Sequence, residues 1–371
     1  MISVLPVSSP RDLQRFIEYP YKKYANQPNW VPPLRRSEKE KFDKTKHPFY
    51  EHANMTLFLA ERNNKVVGRI AVIDDEFHNE IHHENLLFFG FFEAEDADSA
   101  EQLYKVVEAH AAKLGRGRIR GPVNPSMNDG AGFQVDAFDT LPYIMTPQNP
   151  AEYPIWTEKA GYKKVKDLYA WRFDATSGLS ERLTMVAERV KKRYKLSFRG
   201  LSMKRYNEDV DKLLSFYNDV WQDNWGQIAY TDKEAKQLAK DMKPIVDPEM
   251  IIFMELEGQL AGLAVGFPDA NQVLVKVRNG KLFPSGLIHF LNKRMLIDRI
   301  RLPILGITPD FRNKGLEAVL IKEFFDRGLK RDYKAAECSW VLEDNEAMNK
   351  GIKLAGGELY KTYRLYQKEL I

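Results

Sequence analysis

The fold is decided by the stretch LPILGITPDFRNKGLEAVLIKEFFDRGLK, residues 302–330. Its beginning is apolar at 304–308, as expected of a buried strand, and a Pro-Asp turn follows. The polar run RNKG at 312–315 then leads into a long amphipathic pattern that predicts a helix from about Leu316. Backbone N–H groups at the start of a helix are unpaired and lie at the positive end of its dipole. The stretch therefore predicts an anion site, and its basic residues and glycine favour a diphosphate.

The chain contains two copies of one pattern. Gly68 and Gly262, which each open the second strand of a predicted hairpin, are 194 positions apart. Asn149 and Asn345, each before a short predicted helix, are 196 apart, and an Asn-Trp dipeptide recurs at an offset of 195. Three landmarks at nearly one offset indicate a duplication. Copy two has extra residues at about 282–300, before its central strand.

Strands and helices alternate within each copy. In copy one we predict helices at 12–24, 99–114 and 153–160, a hairpin at 56–74, and strands at 86–94, 118–123 and 168–174. Ser99 is the expected N-cap of the long helix, and Gly115 is expected to end it. The pattern indicates an α/β (α+β) fold with two tandem domains, each a mixed central sheet flanked by helices. The predicted divisions are domain 1 at 1–175, a linker helix at 176–200 and domain 2 at 201–371.

The stretch 302–330 resembles the coenzyme-A-binding motif of the GCN5-related N-acetyltransferase (GNAT) superfamily, Gln/Arg-x-x-Gly-x-Gly/Ala after the fourth strand. The helix predicted at 346–354, the Gly-Gly pair after it and the tyrosine-rich final strand resemble the last helix and hairpin of that superfamily. The resemblance covers nearly all of 201–371 in element order and extends more faintly over 1–174. The chain as a whole resembles a tandem-GNAT bacterial protein.

The resemblance implies an acyl-CoA-dependent N-acyltransferase that works by direct transfer in domain 2. The donor is then acetyl-CoA or another acyl-CoA, and the acceptor is an amine of a small molecule or peptide. The residues implied to bind the donor are Leu305, Gly306, Ile307, Arg312, Asn313, Lys314, Gly315, Leu316 and Asn345. Backbone N–H groups at 305–307 would polarise the thioester carbonyl.

The implied chemistry also needs a base for the acceptor ammonium and a proton donor for the leaving thiolate. Many relatives use a tyrosine on the last helix as that donor, but the corresponding stretch at 351–354 contains none. Tyr360 and Tyr363 are the candidate replacements, and packing on the sheet is their alternative role. Glu343, after a strand predicted at 336–341, is the candidate base, and a solvated turn is its alternative setting.

Two features depart from the superfamily motif. Glu317 stands where the motif has a small residue, and an inward-pointing carboxylate would repel a diphosphate. The alternative function is therefore a non-catalytic small-molecule-binding or sensor protein of the same fold, with a decayed cofactor site. Copy one is acidic at 93–98, where its own anion site would lie, so we expect it to be a structural or substrate-binding half.

The acceptor site has two candidate locations in the sequence. One is the glycine-containing polar loop at 124–133, because such loops often form pockets. The other is the aromatic group Trp221, Trp225 and Tyr230, near the end of the first helix of copy two. Ordinary core packing is the alternative interpretation of these aromatic residues.

Charge and composition exclude several classes of function. The net charge is +4, and the predicted helix at 181–195 contains six basic and two acidic residues. This charge is too small for a broad basic face, so we expect no nucleic-acid partner, and transfer from an aminoacyl-tRNA, the third hypothesis, is disfavoured. The one cysteine, Cys338, lies in a predicted strand and offers no metal cluster.

No stretch of the sequence has the length and apolar character of a membrane span or a signal peptide. We therefore expect a cytoplasmic protein without a membrane partner. Walker, Gly-x-Ser-x-Gly and His-Glu-x-x-His motifs do not occur, which disfavours kinases, serine hydrolases and zinc proteases. The oligomeric state is left open.

Overall fold

The structure is a computed structural model that describes residues 1–221, 224–281 and 296–370. Its contacts divide the chain into two compact units. Within the described residues, unit 1 consists of 1–168, 273–281 and 361–370, and unit 2 consists of the remainder. No helix in these described ranges has both the length and the apolar character needed to cross a membrane.

Unit 1 is a mixed sheet with helices packed on it. Its elements are β1 (Ile2–Pro6), α1 (Pro10–Lys23), α2 (Arg35–Lys41), β2 (Ala53–Arg62), β3 (Lys65–Asp75), α3 (Glu76–His82), β4 (Leu86–Ala94), α4 (Ala97–Lys113), β5 (Arg118–Gly121), β6 (Phe133–Gln134), α5 (Glu152–Lys159) and the start of β7 (Lys163–Asp174). The sheet order is β1-β2-β3-β4-β5, with β4 and β5 parallel and the other pairs antiparallel.

Unit 2 repeats this order. Its elements are the end of β7, α6 (Glu181–Arg193), β8 (Leu196–Arg199), α7 (Tyr206–Trp221), α8 (Asp232–Met242), β9 (Ile251–Leu256), β10 (Gln259–Pro268), α9 (Asn271–Leu274), β11 (Arg299–Ile307), α10 (Leu316–Lys330), β12 (Ala335–Leu342), α11 (Glu346–Ala355) and the start of β13 (Glu358–Glu369). The sheet order is β8-β9-β10-β11-β12-β7, and β11 and β12 are parallel. The predicted fold class, two tandem domains with mixed sheets, is confirmed.

The predicted elements of copy one all occur, and their ends shift by a few residues. Gly115 ends the long helix as expected, with a left-handed φ of +67°. The predicted N-cap was wrong. Asp96 caps α4, because its side chain accepts a hydrogen bond from the Ser99 backbone N–H while the Ser99 hydroxyl accepts one from the Asp96 N–H. Ser99 is thus the third helical residue and completes the capping box.

The units do not follow the predicted divisions at 175 and 200. Strand β7 starts in unit 1 and passes into unit 2 at Tyr169, whereas β13 starts in unit 2 and passes into unit 1 at Lys361. The end of β13 pairs with β5, where Tyr366 faces Gly121. The predicted linker helix, observed as α6, belongs to unit 2. Most of the predicted insertion at 282–300 lies outside the described residues.

The two glycines that revealed the duplication occupy the same structural position. Gly68 follows a one-residue shift in the β2–β3 register, and Gly262 follows the corresponding shift between β9 and β10. A Cβ on Gly68 would lie 2.8 Å from the Glu93 carbonyl oxygen, and one on Gly262 would lie 2.8 Å from Ile307. Both glycines are required because the next strand passes too close for a side chain.

The parallel pair in unit 1 is tightly closed. After the paired positions of β4 and β5, the Val123 N–H donates to the Phe89 carbonyl at 2.9 Å. A Cβ on Gly90 would lie only 1.7 Å from the Val123 carbonyl oxygen. Behind this contact is a cluster of buried aromatic side chains that includes Phe89, Phe92, Tyr104, Phe133, Tyr153, Tyr162 and Tyr366. In unit 1, side chains therefore fill the space where the two parallel strands would otherwise separate.

The close contact between β4 and Val123 predicts that adding one methyl group at Gly90 destabilises the protein. We expect Gly90→Ala to lower the free energy of unfolding by roughly 3 kcal/mol or more, because a backbone carbonyl must move to admit the Cβ. Gly117→Ala is the matched control in the same unit, since the nearest atoms to its Cβ would be 4.0 Å away. Urea unfolding of both variants measures the difference. Equal stabilities would show that β4 and the 122–123 segment are not in contact.

Candidate functional site

The parallel strands of unit 2 separate, unlike those of unit 1. Within the described residues β11 and β12 share four paired positions, from Arg299 with Ala335 to Leu302 with Cys338. β11 continues to Ile307 beyond the last pair. Pro303 comes directly after that pair, and a proline has no N–H to donate to a neighbouring strand. The separation leaves a gap in the sheet that no strand of the described residues fills.

A large apolar pocket opens at this gap. It has an empty volume of about 1110 Å³, open solvent included, and it lies wholly within unit 2. Most of its walls are apolar side chains from β11, β12, α10 and α11, among them Leu302, Leu305, Ile321, Phe324, Phe325, Leu329, Val341, Met348 and Ile352. Such a lining suits an aliphatic or aromatic group far better than a polar one.

The predicted anion loop lies at the start of α10. Gly315 is the N-cap residue with a left-handed φ of +74°, and no side chain in the described part of the chain caps the helix there. Among the described residues Arg312 reaches backbone carbonyls, with Nε 3.4 Å from the Ile307 oxygen and Nη2 3.3 Å from the Val220 oxygen. Lys314 likewise donates to the Asp310 carbonyl at 3.3 Å. The loop therefore combines the N–H groups at the start of a helix with two cationic side chains. The hydrogen bonds of these two side chains given above go to backbone carbonyls and not to carboxylates.

Two further residues define the surroundings of this loop. A Cβ on Gly315 would lie 3.1 Å from Val190, so α6 packs against the loop and leaves little room for a side chain. Glu317 is half-buried in the first turn of α10. At the corresponding place in unit 1, Asp96 caps its own helix and pairs with Arg62 at 2.7 Å, which already satisfies that helix terminus.

The other predicted donor-binding residues lie along the same path. Leu305 lines the pocket on β11, followed by Gly306 and Ile307 at the end of the strand. Asn313 has a left-handed φ of +62° in the loop. Asn345 also lines the pocket, and its side-chain oxygen caps α11 by accepting from the Met348 N–H at 3.1 Å.

The three predicted catalytic residues have different surroundings. Glu343 is half-buried directly after β12, and its carbonyl accepts from Asn349 at 3.4 Å. The Tyr360 hydroxyl donates to the carboxylate of Glu337 on β12. Tyr363 belongs to unit 1, where it is fully buried and pairs with Gln134. None of the three is among the described residues that line the pocket, and their catalytic roles stay predictions.

A buried polar cluster lies beside the pocket, and it was not predicted from the sequence. Glu337 is fully buried, and it accepts a hydrogen bond from the Ser339 hydroxyl at 2.6 Å. Arg301 on β11 donates through Nε to that same hydroxyl at 2.8 Å. Polar residues at alternate positions of a strand lie on one face of the sheet, and this pattern in the sequence could have indicated the cluster.

The lone thiol has no nucleophilic role in this setting. Cys338 lines the pocket between apolar neighbours, and loss of hydration, assisted by the charge of Glu337, raises the pKa of its thiol to about 12. The thiol is therefore protonated near neutral pH and is a weak nucleophile.

Curated proteins similar to this chain match it over nearly their whole lengths. The chain is 34% identical over 380 residues to "Bacterial ceramide synthase" of Caulobacter vibrioides (strain NA1000 / CB15N), which covers 100% of this chain and 98% of that protein. It is 30% identical over 367 residues to Protein YghO of Escherichia coli (strain K12), covering 97% of this chain and 93% of that protein. No protein-family model matches the chain.

A solved structure shows the same fold. A tandem GNAT protein from the clavulanic acid biosynthesis pathway superposes on the chain with a TM-score of 0.57 at 11% identity. The match covers 100% of this chain and 98% of that structure, so both units are included. The chain therefore has the fold of a tandem GNAT protein, and its full-length match at 34% identity shows that it belongs to the family of the Caulobacter bacterial ceramide synthase.

Proposed function

We propose that the protein is an acyl-CoA-dependent N-acyltransferase that joins a long fatty acyl group to the amine of a long-chain amino alcohol. The reaction takes place in unit 2, at the gap between β11 and β12. The observation that carries the proposal is the large apolar pocket at this gap.

The name of the relative supports this class of acceptor. A ceramide is the amide of a fatty acid with a long-chain amino alcohol, so a ceramide synthase forms an N-acyl bond on an aliphatic amine. The relative so named is 34% identical to this chain over its whole length. We therefore assign the same type of acceptor, a small lipid amine, to this protein.

The pocket supports a long acyl chain over an acetyl group. Burial of an aliphatic chain stabilises binding by about 0.8 kcal/mol per methylene. An acetyl group has one methyl to bury, whereas the pocket has apolar walls from β11, β12, α10 and α11. Phe324, Phe325 and Leu329 extend the apolar lining along α10, away from the anion loop at its start. The lining therefore continues well beyond the space that a thioester needs.

The anion loop supports a donor that carries phosphates. Arg312 and Lys314 lie beside the uncapped start of α10, where a diphosphate finds both charge and backbone N–H donors. Leu305 to Ile307 lie between this loop and the pocket, so a thioester there adjoins the backbone that we expect to polarise its carbonyl. Direct transfer then needs the acceptor amine to approach the same gap.

A sensor with a decayed cofactor site is the second candidate, and Glu317 is the observation that favours it. Its carboxylate, in the first turn of α10, provides negative charge where a diphosphate would lie. The two functions differ in one measurable property, since the enzyme binds acyl-CoA at the anion loop and the sensor does not.

Chain-length preference tests the proposed donor. We expect kcat/KM to rise from acetyl-CoA through octanoyl-CoA to palmitoyl-CoA, by up to about fourfold per buried methylene. Ile321→Phe should shift the optimum to shorter chains, because the larger ring fills part of the pocket. Amide formation with a long-chain amino alcohol, followed by mass spectrometry, provides the rates.

The matched control is Ile81→Phe, the same substitution at an exposed isoleucine of unit 1, which should leave the optimum unchanged. Equal rates with acetyl-CoA and palmitoyl-CoA would contradict the long-chain assignment.

The anion loop gives a second prediction. We expect Arg312→Ala to weaken palmitoyl-CoA binding by about 10- to 100-fold, the usual effect of losing a charge-assisted hydrogen bond. Stability should change little, because Arg312 contacts only carbonyl oxygens at 3.3–3.4 Å. Isothermal titration measures the affinity, and Arg36→Ala, which removes an exposed arginine of unit 1, is the control. If wild-type protein binds no acyl-CoA, the sensor function is favoured instead.

A further inference from the structure

The polar cluster of unit 2 lies where β11 and β12 separate. Ser339 is the first residue of β12 after the last paired position, and it lines the pocket. Its hydroxyl donates to Glu337 Oε1 at 2.6 Å and accepts from Arg301 Nε at 2.8 Å. Arg301 Nη2 also donates to the Ser339 carbonyl at 3.1 Å. All three residues are at most 3% exposed, so the pocket is their route to a ligand.

The hydroxyl of Ser339 retains one acceptor position. A serine hydroxyl has one proton and two lone pairs. The proton points to Glu337 and one lone pair is used by Arg301, which leaves the second lone pair for a donor in the pocket. An ammonium group is such a donor.

The geometry differs from that of a structural ion pair. Buried arginine and carboxylate groups that stabilise a fold usually meet directly, through two parallel hydrogen bonds. Here Arg301 Nε lies 3.9 Å from Glu337 Oε1 and is directed at the serine between them. The cluster holds a hydroxyl in a fixed orientation beside a carboxylate, which is the arrangement of an activated group.

Unit 1 provides an internal comparison. The first paired positions of the parallel strands, Leu86 with Arg118 and Arg299 with Ala335, align the two units. On that alignment the positions of Arg301, Glu337 and Ser339 are occupied in unit 1 by Phe88, Arg120 and Pro122. The cluster is thus confined to the unit whose strands separate, and the closed unit has replaced all three residues.

From this geometry we infer that Ser339 and Glu337 form a proton relay that deprotonates the acceptor ammonium. The inference rests on the proposed N-acyltransferase function. The ammonium gives a proton to Ser339 Oγ as the serine passes its own proton to the Glu337 carboxylate. The neutral amine then forms the C–N bond at the thioester carbonyl and the C–S bond breaks. The second amine proton goes to the leaving sulfur, and Glu337 releases the first to solvent.

Charged and titratable groups on three neighbouring elements act on Glu337. Arg301 Nε on β11 lies 3.9 Å from its carboxylate, and the Tyr360 hydroxyl on β13 donates to it. Asp269, at the end of β10, is a second buried carboxyl group. Burial raises the pKa of Asp269 to about 6 despite the lowering effect of Arg299, and Glu337 adds to the rise. Glu337→Gln therefore also removes a negative charge that acts on Asp269.

Three variants of the full chain test the relay with palmitoyl-CoA and a long-chain amino alcohol. Glu337→Gln and Ser339→Ala should each lower kcat by about 10²- to 10⁴-fold, the usual contribution of a general base, with an unchanged Kd for palmitoyl-CoA. The residual rate of Glu337→Gln should rise with pH, because only amine already neutral in solution reacts. Ser339→Thr, which keeps a hydroxyl at this position, should restore part of the rate that Ser339→Ala loses.

The outcomes separate the relay from the proposed function. If the wild type transfers the acyl group and Glu337→Gln keeps kcat within about threefold, the relay is overturned and the proposed function stands. If the Gln variant does not fold, Ser339→Ala and Ser339→Thr decide, and equal rates in these two variants overturn the relay. A residual rate of Glu337→Gln that does not rise with pH also overturns it. If the wild type transfers no acyl group, both proposals fail.

Discussion

The separation of two parallel strands is the constraint on which the site depends. Strands in a sheet satisfy their backbone N–H and C=O groups by hydrogen bonding to each other. Where two neighbouring strands diverge, other groups must occupy the space between them. In unit 1 Gly90, two residues after the last paired position of β4, lets the Val123 carbonyl come within contact distance. The aligned residue in unit 2 is Pro303, which cannot donate to a neighbouring strand. The same arrangement of strands is therefore closed in the unit that has glycine at this position and open in the unit that has proline.

The consequence is a different interior in each unit. The space behind β4 in unit 1 is packed with aromatic rings such as Phe92 and Tyr104, which stack at 5.0 Å. The space behind β11 in unit 2 is an apolar pocket, and unfilled apolar volume costs stability because its lining lacks contact partners. A pocket of this kind is retained where a ligand supplies the missing contacts. The duplication thus gives one unit whose interior is filled by its own side chains and one that keeps an apolar pocket.

Local patterns in the sequence were sufficient for element order, because helix and strand periodicity and helix termini such as Gly115 are local properties. The duplication could be inferred from glycines that occur in both copies, because the atoms around them leave little room for a side chain. The crossing of β7 and β13 between units was not predictable, since it depends on which distant strand each edge meets. The anion loop was predictable because a strand, a glycine and a helix are contiguous there. The roles of Glu337 and Ser339 were not, because they depend on Arg301 from another strand and on a gap in the sheet.

These features fit the lipid amine that we propose as the acceptor. Such an acceptor has a long apolar chain and one charged group, so its site needs apolar walls and one buried polar point. β12 supplies both, because Cys338 packs with apolar neighbours of α10 while Glu337, the residue before it, meets Arg301 and Tyr360. A buried carboxylate is costly unless it is hydrogen-bonded, and this one accepts from two hydroxyl groups. Only one of the two, Ser339, lines the pocket, so a proton from the pocket has a single described path to the carboxylate.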